Sequence, residues 1–276
     1  MTSAVDFHTH IFPEKIAERA IKGMSSESHL VPVLNGTEDA LVQSMYESDS
    51  AEGEGVSLSV ILPVATNPEK CRSMNRYALS INRKYENKSK RLISFAAVHP
   101  CAEDVKGLVK EIAEQGFKGI KLHPDYQGVY FDDRRFKDLV YYAECNNLIT
   151  LTHAGLDYGY PYDVRCSPAR ALNLIRDVKP ERLVLAHMGS NSLWKDCEEF
   201  LCGLGVYFDT AFVNGHISPE QFVRLVKKNG AGRILFATDS PWDDQKKALD
   251  FVRNLPLSES EKDMILSENA LKLLGI

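Results

Sequence analysis

The chain has no basic tail, no long block of like charge and no apolar run long enough to span a bilayer. Its 33 Lys+Arg against 38 Asp+Glu give a formal net charge of -5, which argues against nucleic acid or an anionic membrane as the main partner. The opening MTSAVDFHTH lacks the charged segment and apolar core of a secretory signal. The 6 cysteines (Cys71, Cys101, Cys145, Cys166, Cys197 and Cys202) include no C-x-x-C pair. Their scatter resembles reduced thiols more than a disulfide framework, so a cytoplasmic location is expected. No internal repeat is present, and no Gly-rich phosphate turn follows the first apolar run. The second absence disfavours a doubly wound dinucleotide-binding sheet.

What is there is alternation. Short apolar runs of strand length occupy 4–8, 56–64, 92–98, 117–123, 148–153, 183–187, 206–210 and 234–239. Amphipathic helical patterns separate them. Asp104 to Gln115 presents Leu108, Val109 and Ile112 on one face, and Pro168 to Asp177 presents Ala171, Leu172 and Ile175. Ser218-Pro219 offers a cap followed by proline at the first helical position. Residues 257–276 read as a closing helix. Strands alternating with helices predict a parallel sheet, and eight strands can close it. The expected fold is α/β, a single (β/α)8 TIM barrel forming one domain over residues 1–276, since such barrels take about 250 residues. Two connections are long: residues 10–55, part loop and part helix, and the tyrosine-rich 154–167.

The chemistry gathers at the strand ends. His8 and His10 are two apart on the first strand, so period-two alternation puts both on one side, with Cα atoms about 6–7 Å apart. Imidazoles at that spacing can close on one ion at Zn–N distances of about 2.0–2.1 Å. Alone, H-x-H is a weak signal. However, His153 ends the fifth run, His187 the sixth and Asp239 the eighth. In a closed barrel these ends converge on one face, where barrel enzymes build their sites. Polar groups there are costly if buried without partners, and a shared metal ion explains them together.

The motifs are DFHTH (Asp6 to His10), GFKGIKLHP (Gly116 to Pro124), THAG (Thr152 to Gly155), AHMGS (Ala186 to Ser190), TDSPW (Thr238 to Trp242) and ENALKLLGI (Glu268 to Ile276). In this order they resemble the amidohydrolase superfamily, in particular the branch grouping small metal-dependent hydrolases with aminocarboxymuconate-semialdehyde-type decarboxylases. The resemblance implies His8, His10, His153 and Asp239 as metal ligands, with Asp239 also shuttling a proton. It implies that His187 binds a second metal or contacts substrate and water. Zn2+ is the expected ion from the imidazole-rich set, with Mn2+, Fe2+ or Co2+ as alternatives. One ion is expected and a second is left open.

Lys121 sits on the fourth strand, where binuclear members of the superfamily carry a carbamylated lysine. A free ammonium beside a dication is repulsive unless an anion intervenes. Three readings stand: a clamp for a substrate carboxylate, placed first because this branch is mainly mononuclear; a carbamate bridge; or a lysine turned away to a neighbouring acid. His123 shares the alternation of Lys121 and could line the pocket, as could His99, for which a structural hydrogen bond is an equal alternative. Arg165 could grip a substrate anion or simply face solvent. Tyr158, Tyr160 and Tyr162 could form a lid or pack their own loop, and Trp194 and Trp242 could wall the pocket. Asp6, taken to share the face of His8, and Asp209 are candidates for supporting the ligands. His29 and His216 have no supporting context and are expected at the surface.

The first functional expectation is hydrolysis of a small amide, lactone or related carbonyl compound, with an acidic substrate favoured by Lys121 and Arg165. The alternative is nonoxidative decarboxylation of a small aromatic or unsaturated acid. A non-catalytic metal-binding barrel ranks last, because structural zinc sites are usually closed and often use cysteine. A metal-dependent deoxyribonuclease of a related type is disfavoured, because that group places a glutamate where this chain has Lys121. The implied partner is a small molecule. Dimers are common among relatives, so a homodimer is compatible with the resemblance.

Overall fold

The structure is a computed structural model and describes residues 3–50 and 55–276. Among the described residues the parallel strands are β1 (Ala4–Thr9), β2 (Val56–Ile61), β3 (Arg91–Ser94), β4 (Ala96–Ala97), β5 (Gly119–Leu122), β6 (Ile149–Thr152), β7 (Leu183–Leu185), β8 (Tyr207–Asp209) and β9 (Ile234–Leu235). They form two ladders, β1-β2-β3 and β4 through β9 in sequence order. The third expected strand is thus broken at Phe95, whose amide still donates to Ile61 O at 2.9 Å. At the other seam the chain beyond β9 lies against β1: Phe7 N donates to Phe236 O at 2.8 Å, Asp239 N to His8 O at 2.8 Å and His10 N to Ser240 O at 2.6 Å. With β3 and β4 as one stave, eight staves make the expected barrel.

The helices are α1 (Glu14–Ser28), α2 (Glu38–Glu47), α3 (Cys71–Tyr85), α4 (Val105–Glu114), α5 (Pro124–Gln127), α6 (Arg134–Cys145), α7 (Pro168–Val178), α8 (Trp194–Phe200), α9 (Pro219–Asn229), α10 (Gln245–Arg253), α11 (Glu259–Asp263) and α12 (Asn269–Leu274). Side-chain caps begin many of them: Asp104 accepts from Gly107 N at 2.8 Å, and Ser218 from Gln221 N at 3.2 Å. The closing helix is α11 and α12 joined through a π-helical turn at Met264–Glu268. Of the long 10–55 connection, residues 51–54 lie outside the described residues; the rest holds α1 and α2. No helix among the described residues is long and apolar enough to cross a membrane.

Two apolar clusters follow from strand alternation. One unites Val5, Phe7, Val60, Phe95, Ile149, Leu151, Val184 and Leu235 with Leu273 of α12. Phe7 and Phe95 meet edge to face at 5.8 Å. Gly119 leaves room for that ring, since a Cβ there would lie 2.5 Å from Phe95 Cε2. The other cluster packs the helices onto the strands' opposite faces. Stepping by two from the first cluster leads directly to the site: Leu151 to His153, Leu235 to Asp239 through Ala237, Tyr207 to Asp209, and Gly119 to Lys121 and His123.

Candidate metal centre

Two stretches depart from this alternation: His187 is in step with Leu185 of the second cluster, and β1 changes face. Phe7 belongs to the first cluster, yet the His8 ring also reaches the strand-end site. The ladder register is irregular between Asp6 and Thr9, and there the strand changes face. Asp6 therefore does not share the surroundings of His8, as the plain alternation had predicted. Its carboxylate accepts from Thr238 Oγ1 at 2.7 Å and Gln245 Nε2 at 2.8 Å, tying β1 to the chain after β9 and to α10. Burial raises the Asp6 pKa to about 7 against the effect of these bonds.

The hydrogen bonds of the histidines settle which nitrogens are bare. His8 Nδ1 donates to Asp209 Oδ2 at 2.8 Å, and His10 Nδ1 donates to Leu62 O at 2.8 Å. Their Nε2 atoms therefore carry lone pairs, and these face each other at 3.1 Å. Asp239 Oδ1 lies 3.1 Å from His10 Nε2 and 3.3 Å from His8 Nε2. Three acceptors turned on one point repel one another unless a cation lies among them, so these residues fit a divalent ion. Burial holds the His8 pKa well below the ordinary histidine value, aided by Lys121 and the other histidines, which keeps the ring neutral.

A second group stands beside the first. His187 Nδ1 donates to Ala211 O at 2.9 Å, leaving Nε2 bare, and Nε2 lies 3.0 Å from His153 Nδ1. His153 Nε2 is buried with no hydrogen-bond partner among the described residues. His123, His153 and Asp157 bring two ring nitrogens and a carboxylate oxygen within 4.8 Å of one another. Without an ion His153 Nδ1 donates its proton to the bare His187 Nε2, and moving that proton to Nε2 frees Nδ1 as a donor atom beside His187. His123 stacks between Tyr126 at 4.0 Å and His153 at 4.3 Å. The structure thus gathers His8, His10 and Asp239 tightly and puts His153 with His187 and His123.

Lys121 is 1% exposed, and its Nζ lies 2.9 Å from His8 Nε2. It is not turned away to a neighbouring acid: it makes no ion pair within 4.0 Å among the described residues. Burial lowers its pKa to about 8, with Asp239 and Asp209 pulling the other way. Asp209 binds both sides of the site, accepting from His8 Nδ1 and, through Oδ1, from His187 N at 2.8 Å.

Backbone geometry at the strand ends is unusual. Asp239 has φ 67° and His187 φ 60°, left-handed conformations that turn the chain sharply where each strand stops. Gly155, at φ 88°, passes so close to the next loop that a Cβ would lie 2.1 Å from Asn191 N.

Above these residues opens a cavity of about 760 Å3, with Tyr158, Tyr160 and Trp242 in its wall and His123 near its floor. Other expected residues lie elsewhere. Arg165 donates to Asp163 Oδ2 at 3.0 Å and Asp125 O at 3.3 Å and is not part of the lining. Tyr162 is 99% exposed. Trp194 is buried and donates to His187 O at 2.9 Å. His99 Nδ1 accepts from Cys101 N at 3.1 Å, a structural bond. His29 and His216 are exposed. Asp157, four residues past His153 and on the cavity wall, was not singled out from the sequence. Its only signal was an acid in the long loop that follows a histidine-ended strand.

Imidazoles and carboxylates at the strand ends of a parallel barrel define an enzyme of the kind that builds its site from those ends. The chain belongs to the amidohydrolase family, whose pattern it matches over residues 5–276. Among solved structures it is similar to 2,6-dihydroxybenzoate decarboxylase from Rhizobium, at 17% identity and TM-score 0.69 over 100% of this chain and 99% of that one. It is also similar to a dihydroxybenzoic acid decarboxylase from Polaromonas sp. JS666 with bound manganese and 2-nitroresorcinol, at 16% identity and TM-score 0.71, covering 100% and 97%. A third is a Pseudomonas putida protein provisionally described as 2-pyrone-4,6-dicarboxylic acid hydrolase, at 16% identity and TM-score 0.64, covering 100% and 98%. Identities this low establish a shared fold. No curated protein matches by sequence.

Proposed function

We propose that this enzyme hydrolyses a small ester-like carbonyl compound, a lactone or an amide, with two divalent cations and with Lys121 carried as a carbamate. The observation that carries this reading is the division of the donors. His8, His10 and Asp239 form one group, and His153 Nδ1 with His187 Nε2, 3.0 Å apart, form another. Lys121 is buried beside them, and its charge acts on both His8 and His153. A buried ammonium next to a cation costs about 4 kcal/mol per pair of unit charges at 4 Å and an effective dielectric of 20. If neutral Nζ instead adds CO2 and loses one proton to solvent, the new N–C bond leaves an anion. Repulsion then becomes attraction. This departs from the single ion and the substrate clamp expected from the sequence.

Bound divalent cations supply Lewis acidity, which makes water acidic and a carbonyl electrophilic. Asp239, 16% exposed, is the carboxylate of the H-x-H donor group and lines the cavity. It takes a proton from the attacking water on Oδ and returns it to the leaving oxygen or nitrogen. His8 and His187 are held in fixed tautomers by Asp209 and Ala211 O, so no reorganisation accompanies the reaction. Zn2+ suits the imidazole-rich donors, and the manganese in a similar structure makes Mn2+ the alternative. A cytoplasmic location and homodimer assembly belong to the same reading.

A second reading, nonoxidative decarboxylation of an aromatic or unsaturated acid, is favoured by the aromatic wall of Tyr77, Tyr126, Phe212 and Trp242 and by the decarboxylases of similar fold. In it Lys121 remains an ammonium and grips the carboxylate. Metal analysis of protein prepared with bicarbonate separates the two. Two ions per chain, and loss of activity in Lys121→Ala with partial rescue by added acetate, support the hydrolase. One ion per chain, with CO2 released from aryl acids and no lactone or amide opened, overturns it.

A further inference from the structure

The cavity is larger than the chemistry at its floor requires. Pockets of about 300–1,000 Å3 serve drug-sized ligands, and this one, at about 760 Å3, lies well inside that range. Its donor groups His8, His10, Lys121, His187 and Asp239 come from the strand ends, and Glu27 and Ser28 add polar groups at the C-terminal end of α1. Away from them it runs between two helices. On α1 the lining residues Ile16, Ala20 and Met24 are spaced by four, one stripe along the helix. On α3 Met74, Tyr77, Ala78 and Ile81 are spaced by three and four, again one stripe. Two apolar stripes border a common void instead of packing on each other. Ala78 and Ile81 also reach the core, whereas Ile16 is exposed and Met24, Met74 and Tyr77 are half-buried, so these four are the apolar surface a ligand would cover. The residues nearest the outer edge, Asn67, Lys70 and Ser73, are exposed and polar, which bounds the apolar lobe.

Resting on the hydrolase reading for the reaction at the floor, we propose that the substrate is amphipathic: a carbonyl head at the donors and a flexible apolar chain between α1 and α3. Met74 and Met24 then set chain-length specificity, because the thioether side chain adapts to irregular apolar shapes. Each methylene placed in the lobe contributes a factor of about four in affinity, the equivalent of about 0.8 kcal/mol.

Two series on the metal-loaded protein test this. In the first, kcat/KM is measured for γ-lactones whose side chain grows from methyl to octyl. In the second, the affinity of unbranched alkanoic acids from butanoic to dodecanoic acid is read from Trp242 fluorescence in a Trp194→Phe background. Both should rise several-fold per methylene and then level once the lobe is full. Met74→Trp should flatten the rise, lowering the ratio of the octyl to the methyl lactone by at least tenfold, and Met74→Ala should move the plateau to longer chains. A flat or falling affinity series in the protein with Met74 intact overturns the proposal, whatever the lactones do. Rising affinity with no lactone opened, and no alkanamide of the same chain lengths, leaves the lobe standing and removes the hydrolase reading instead.

Discussion

Asp239 combines three properties at one position: a left-handed backbone, contact with both Nε2 atoms of the H-x-H pair, and access to the cavity. Asp239→Asn keeps the shape and removes the base. Turnover should fall by at least ~10³-fold, in line with general acid–base contributions of about 10²–10⁴ plus a weakened donor. The melting temperature of the metal-free protein should move by only a few degrees, and near-normal turnover in this variant would reject the proton-shuttle role. Asp209 is the less obvious partner. Its carboxylate fixes the His8 tautomer and also accepts from His187 N. Asp209→Asn should weaken metal binding about 10–100-fold, measured by competition with a chromogenic chelator. The histidines and Asp239 could be read from sequence because each ends an apolar run. Asp157 could not, since it is a loop residue brought to His123 and His153 only by the path of 154–167. The bare and protonated nitrogens depend on carbonyls such as Leu62 O and Ala211 O, which carry no side-chain signal at all.

Among the elements, the strand and helix periods were plain in the sequence, and the caps at Asp104 and Ser218 stand where their residue types predict. Two local events were hidden. β1 switches face between Asp6 and Thr9, which period-two reasoning cannot foresee. α1 belongs to the cavity wall and not merely to a long connection, because its apolar stripe is short and broken by charges. The loop after β6 depends on one backbone contact that can be tested. Gly155→Ala forces a Cβ against Asn191 at φ 88°, so the variant should lose about 1–3 kcal/mol in chemical denaturation, and an unchanged midpoint would show that the two loops can separate freely.

For the molecule as a whole, pH should expose the buried acids outside the donor groups, Asp6 and Asp125 among them. Asp125 is raised from 3.8 to about 6, mainly by burial, with Asp157 adding to the effect and the Arg165 amide opposing it. Its Oδ2 is buried without a partner among the described residues. The folded chain holds this proton more tightly than the unfolded chain does. Stability from this group is therefore full below pH 3.8, is lost as pH rises toward about 6, and stays lost above it. In Asp125→Asn the amide oxygen can still accept from Arg165 N while the charge is gone. The gain in unfolding free energy over the parent should grow across that window to at most about 3 kcal/mol and then level, as followed by urea melts at successive pH values. A difference independent of pH would show that Asp125 stays ionised throughout.

The seam between the first and last staves has a consequence for how the protein comes into being. Asp6 waits for Thr238 and Gln245, and the edge of β1 waits for Phe236 and Ser240. During synthesis, a growing polypeptide carries its leading imidazoles for more than two hundred residues before the partner that completes their cage leaves the ribosome. Throughout that time both margins of the unfinished sheet are open to other chains, and no ion can be captured by the full set. On the metal-dependent reading, loading with metal is therefore among the last events of its biogenesis.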